Sequence, residues 1–275
     1  MGIWGGNSGT ISIENFNNAG TISGKSRNEK GVHFEGKNSA KVHIKTFHNK
    51  NTGTIESKDR QGVYFEGNVH VQTFENTGTI TGGDGSSWSG GLYPAGGVVM
   101  SGGTIETFIN KGTIKSTGTR NDPAGVKLNY ATVKTFENTG LISGLNGVLT
   151  TQGTIETFKN SGTIESTSQG GGEAAIRIQT AYLDFSSITN FTNTGTIKSS
   201  SNGIMIESGN QIGTIINKGT IETKLNGISF FDWGGNPDNA RLGKIILEPG
   251  SSIKAGNNGI NIGHETTKNI KVDGI

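Results

Sequence analysis

With 275 residues, a formal net charge of +2 and lysines and arginines scattered among acids, the chain lacks the concentrated basic stripe that binding to a nucleic-acid backbone requires. It has no cysteine, which excludes disulfides and thiolate metal sites and leaves the redox compartment undecided. Only 30% of its residues are hydrophobic against 46 glycines, too few for a broad globular core, and no apolar run is long enough to span a membrane.

From the N-terminus onward one short phrase, F-x-N-x-G-x-I, recurs. It runs from Phe16 to Ile22, Phe74 to Ile80, Phe108 to Ile114, Phe136 to Ile142, Phe158 to Ile164 and Phe191 to Ile197. Ile215 to Ile221 replaces the Phe with Ile, and Phe47 to Ile55 and Ile245 to Ile253 are each stretched by two residues, the second also losing the Asn. Three residues before each copy stands another apolar residue: Ile13, Ile44, Val71, Ile105, Val133, Ile155, Ile188, Ile212 and Leu242. After each copy comes Gly or Ala and then an apolar pair in period two, such as Val32/Phe34, Val63/Phe65, Val98/Met100, Val126/Leu128 and Ile176/Ile178, with only Val148/Thr150 weakening the pattern.

The closing Ile residues lie between 22 residues apart (Ile142 to Ile164) and 34 apart (Ile80 to Ile114), periods that signal a solenoid. Period-two apolar pairs separated by Gly, Asn and Ser predict short strands joined by turns, and no helical stripe competes with them. The expected fold is all-β: a right-handed parallel β-helix, one domain over residues 1–275, with about nine coils of 22–34 residues and three short strands per coil. The shortest coil exceeds three hexapeptides, which argues against the left-handed form. Leucine-rich repeats would need a Leu ladder, and Gly82-Gly83-Asp84-Gly85 only faintly echoes a calcium-binding nonapeptide. At roughly 4.8 Å per coil the rod is about 40 Å long. The phrase Asn, taken as Asn18, Asn51, Asn76, Asn110, Asn138, Asn160, Asn193 and Asn217, is expected to stack as a structural ladder. Met1–Gly9 does not read as a signal peptide, and 269–275 reads as the opening of another coil, so the chain is expected to be a segment of a longer protein.

A cysteine-free chain rich in Gly, Asn, Thr and Ser, built on degenerate N-x-G-T-I coils over nearly its whole length, resembles the passenger region of bacterial autotransporters, the type V secreted surface proteins. That resemblance implies export through the inner membrane, passage unfolded across the outer membrane, folding outside into a right-handed β-helix on the cell surface, and roles in adhesion. The lack of cysteine suits such a route. A C-terminal membrane barrel and an autochaperone segment are not recognisable in the sequence.

Function on a solenoid rides on residues outside the repeat, so the inserts are the places to look. The longest lies between Ile80 and Val98 and carries Asp84, Trp88, Tyr93 and Pro94; the next coil adds Arg120, Asn121 and Asp122. The coil through Val148 is minimal, and the following one swells again with Glu173. This suggests a notch roughly 10 Å wide between the inserts. A second patch, Asp232, Trp233, Asp238 and Arg241, precedes the last full phrase. Aromatic rings beside acids and Arg are able to stack on and hydrogen-bond a sugar; the bland alternative is loop tips folded over the rod. Glu75 and Glu137, two coils apart, alternate with Ile109 and Lys159 as on a solvated face, and no paired-carboxylate site emerges. His43 and His70 hold equivalent positions, but neither a metal nor a cofactor is expected.

The sequence therefore predicts a non-enzymatic extracellular rod displaying loops to a host or bacterial surface ligand, glycan or protein. The alternatives are a polysaccharide lyase or hydrolase, and a bare spacer. Self-association is also open, with Val99, Leu149 and Met205 as a mildly apolar face.

Overall fold

The computed structural model describes the chain apart from residues 27–28, 84–94, 120–121, 180–184, 232–240, 264–270 and 275 and the side chains of 231 and 271–273. Among the described residues there is no helix, and so none long and apolar enough to cross a membrane. The 29 strands form three sheets of 10, 10 and 9 strands, each with its neighbours from adjacent coils. One coil illustrates the path: Ala124–Asn129 in sheet A, Thr132–Asn138 in sheet B, Leu141–Gly144 in sheet C, and then Asn146–Thr151 back in sheet A. Every pairing is parallel, so this is a parallel β-helix of nine full coils, with the strands Ile260–Asn261 and Lys271–Gly274 beginning a tenth.

The three columns read from the sequence are the three sides of the core. Sheet A contributes Val98, Met100, Val126 and Leu128, sheet B contributes Ile105, Phe108, Val133 and Phe136, and sheet C contributes Ile114 and Ile142, all buried. Phe16, Phe47, Phe74, Phe108, Phe136 and Phe158 stack ring on ring with centroids 4.4–4.8 Å apart. That is the rise of a parallel coil, so the rings stack without any tilt of the backbone. Each adds about 0.5–1.5 kcal/mol beyond the burial of its area. The stack tilts to 55° at Phe191 and gives way to Ile215 and Ile245.

The sheet-B strands break simple alternation. Ile105 and Phe108 both point inward although three residues apart, and the pairing runs through 104–105 and 107–110 without Glu106. The same omission recurs in every coil, leaving Glu14, Lys45, Gln72, Glu106, Lys134, Glu156, Thr189, Gly213 and Gly243 as an unpaired outward column. The strand bends there, and because all coils bend at one level the register survives.

The Asn ladder forms, with one correction. Asn49, not Asn51, occupies the ladder: it pairs in register with Asn18 and Asn76. The two additional residues of that copy follow the Asn instead of preceding it, so Asn51 lies exposed in the turn, where its side chain accepts from the amide of Thr52. From Asn18 to Asn217 each amide Nδ2 donates to the Oδ1 of the next coil's Asn at 2.8 Å. The same Nδ2 also reaches a glycine carbonyl two residues on, as Asn110 does to Gly112 at 3.3 Å. In the last copy Leu247 takes the ladder position and is 48% exposed. The glycine of the phrase is a packing requirement: a Cβ on Gly112 would lie 2.1 Å from the carbonyl oxygen of Gly78 in the preceding coil.

Removing one rung in mid-ladder strands a buried donor on one side and a buried acceptor on the other. Asn138→Ala is expected to lower stability by about 2–5 kcal/mol, whereas Asn51→Ala stays within about 0.5 kcal/mol of the parent. Urea unfolding of the two variants checks both values.

Candidate functional site

Seven of the predicted contact residues, Asp84, Trp88, Tyr93, Arg120, Asp232, Trp233 and Asp238, lie outside the described residues. Asp122, Glu173 and Arg241 are described, and they do three different things.

Asp122 adopts a left-handed backbone (φ 50°) and its carboxylate accepts from Arg177 Nη1 at 3.1 Å and from Gln179 Nε2 at 3.5 Å. Arg177 in turn donates through Nε to Glu207 at 2.7 Å, and Lys127 Nζ donates to the main-chain oxygen of Asp122 at 3.2 Å. Lys127, Leu149 and Arg177 are consecutive neighbours in sheet A, so the Asp122–Arg177 bond passes over Leu149, which is fully buried. The expected notch above the short coil is therefore bridged between Asp122 and Arg177.

Other outward members of sheet A, Tyr64, Val99, Met205 and Ser229, are buried as well, whereas His33 and Asn261 are partly exposed. Val99, Leu149 and Met205 have at most 1% exposure, which removes them as a face for self-association. Glu173 is half-buried and closes its own loop: its carboxylate accepts from Ser168 Oγ at 2.8 Å and its main-chain oxygen from Ser201 Oγ at 2.8 Å.

Two acidic constellations are likewise engaged. Glu75 accepts from Lys111 at 2.7 Å and Glu137 from Lys159 at 3.0 Å, so each carboxylate carries its own counter-charge. His43 and His70 are neighbours on adjacent coils, with ring centroids 5.7 Å apart, but the rings are tilted by 54° and do not stack. The sequence reading missed His33, Glu35 and Glu66, whose donor atoms all lie within 4.8 Å of one another. His33 Nε2 meets Glu66 at 3.0 Å, Lys37 pairs with Glu35, and the His33 ring stacks on Tyr64. Burial, and then the nearby Lys30 charge, hold the His33 imidazole below its usual range against the opposing pull of Glu66. Alternate residues of adjacent coils are what bring the three together, a signal that period-two spacing in consecutive repeats does carry.

Arg241 leads to an open feature of the surface. Along sheet B, Ser187, Gln211 and Arg241 stack as one column and Asn190, Thr214 and Lys244 as another. Between the two columns runs the unpaired bend position. Over the first coils it carries long side chains that fill the space with ion pairs, Lys45 to Glu14 at 2.9 Å and Lys134 to Glu106. From Thr189 onward it carries Thr, Gly and Gly, and a trough of about 460 Å³ opens, lined by Ser187, Thr189, Gln211, Thr214, Arg241 and Lys244 over a floor of Gly213 and Gly243. The glycines are imposed by close approach of the coils. A Cβ on Gly213 would lie 2.3 Å from the carbonyl oxygen of Thr189, and one on Gly243 2.2 Å from that of Gly213. Gln211, Arg241 and Lys244 are exposed, and among the described residues no carboxylate lines the trough. The sequence signal was present as the loss of charge at one fixed offset from the apolar column.

Compared with known proteins, the chain matches no family model, no curated protein and no solved structure.

Burial pushes the Lys127 ammonium down to about 8 from 10.5, with Asp122 opposing the shift and Arg177 adding to it. An amine whose folded value lies below its unfolded one releases its proton first in the folded state. Stability therefore rises with pH from about 8 to 10.5, and the full penalty stands below that window. The rise from this one group is on the order of 3 kcal/mol. Lys127→Met should abolish it, so the stability difference between parent and variant is expected to change by that amount across the window, as followed by urea unfolding at a series of pH values.

Proposed function

We propose that this chain is a segment of an exported bacterial surface protein of the autotransporter-passenger type, a non-enzymatic rod whose decorated side contacts a glycan or protein on host or neighbouring cells. The full-length protein would be anchored in the outer membrane and the rod would stand outside the cell. The observation that carries this reading is the division of labour along the repeat. Inward positions are apolar or ladder Asn from coil to coil, while departures from the repeat gather in the inserts and in one trough that runs along the axis. A bare spacer has no need of such a trough.

A glycan and extracellular-matrix array probed with the purified chain tests the reading, run beside a variant carrying Trp88→Ala and Trp233→Ala. Binding by the parent to at least one class of target, reduced about tenfold in the variant, is the expected result, as for aromatic anchors at contact sites. Silence of the parent on every glycan and matrix protein would overturn it in favour of the spacer.

A further inference from the structure

The geometry points to a specific ligand class for the sheet-B trough: an anionic polysaccharide, its chain lying along the rod axis over Gly213 and Gly243. This rests on the contact role proposed above and names what one part of that surface takes.

Three features select the class. The first is shape. The floor descends coil by coil through Thr189, Gly213 and Gly243, while the walls Ser187–Gln211–Arg241 and Thr214–Lys244 run parallel to it. Two coil spacings give the floor a length of about 10 Å, so the opening suits a short run of an extended chain better than a compact small molecule. The second is charge. One cation stands on each wall, Arg241 and Lys244, three residues apart on the same strand and on opposite sides of the bend. Both belong to one coil and so stand at the same level of the rod, flanking the trough from either side, where an acidic group of a chain lying along the axis would sit between them. The third is hydrogen-bonding capacity. Ser187, Thr189, Gln211 and Thr214 supply hydroxyl and amide groups on the two coils that precede the cations, which suits the hydroxyls of sugar rings.

The earlier coils form the contrast. With Glu14, Lys45, Gln72, Glu106, Lys134 and Glu156 at the floor position, the same face there is filled, and Lys45 and Lys134 are paired with acids of that column. An anionic chain would find the floor blocked and its lysines paired with acids on those coils, and would find an open floor on the last three with two cations at its end. The binding site is thus bounded along the rod by the sequence of the repeat itself.

The test compares chemically matched pairs by titration calorimetry at low salt: oligogalacturonate against its methyl ester, and sulfated dextran oligosaccharide against plain dextran. The acidic member of at least one pair is expected to bind at least about tenfold more tightly than its neutral partner, weakening as salt screens the cations. Lys244→Ala and Arg241→Ala are each expected to weaken that binding about tenfold. Because Arg241 touches other parts of the chain, Thr189→Glu provides an independent probe: it places on an exposed position the carboxylate that the closed coils carry, and should give a similar loss. Retention of the parent's thermal midpoint identifies variants that fold. Equal affinity for acidic and neutral members, or unchanged affinity in Lys244→Ala and Thr189→Glu, would overturn the inference. Binding to neutral glycans or matrix proteins on the array alongside that result would leave the contact role standing. Which pair responds separates carboxylated from sulfated sources.

Discussion

Each inward side chain of this rod must sit on its counterpart one coil away, at the spacing of a parallel sheet. A ring, a branched aliphatic chain or a carboxamide repeats comfortably at that distance; a buried charge stacked on a like charge does not. The Phe column meets the constraint by parallel stacking at 4.4–4.8 Å. The Asn column meets it by a continuous chain of amide hydrogen bonds, all donated in the same direction, in which each rung polarises the next. Glycine follows because the turns beside the ladder stack so closely that a Cβ would strike the neighbouring carbonyl.

Outward positions escape this constraint on sheets B and C but not on sheet A. There the row Tyr64, Val99, Lys127, Leu149, Arg177 and Met205 faces away from the core and is nevertheless buried. Arg177 is held between Glu207 and Asp122, and that pairing is what makes its burial tolerable, since a buried guanidinium without a partner would be far costlier. Lys127 is less well compensated, and its lowered affinity for a proton records the cost of burial. The arrangement ties a turn from one coil to a strand two coils on, over the shortest coil of the rod, so what the sequence presents as a gap between inserts becomes a clasp.

The trough has an equally local origin. A bend that every sheet-B strand makes leaves one position per coil out of the pairing, and the side chain at that position decides whether the face is filled or open. Long charged residues close it and glycines open it. The ligand proposed for it depends on the cations of the two walls, which the bend sets on opposite sides of the floor.

Periodicity alone determined the coil, its three strands, the identity of nearly every core residue and the existence of the Asn ladder, because a solenoid repeats one local environment and the repeat is written directly in the chain. It misassigned Asn51 for Asn49, since a stretched copy does not reveal on which side of the Asn the added residues fall; only register with Asn18 and Asn76 decides that. Tertiary structure alone decided the burial of Val99, Leu149 and Met205, the meeting of Asp122 with Arg177, and the opening between Arg241 and Lys244. Those features arise between coils, from residues brought together by stacking and not by spacing along the chain, and a pattern read along one dimension has no means of recording what lies across the other two.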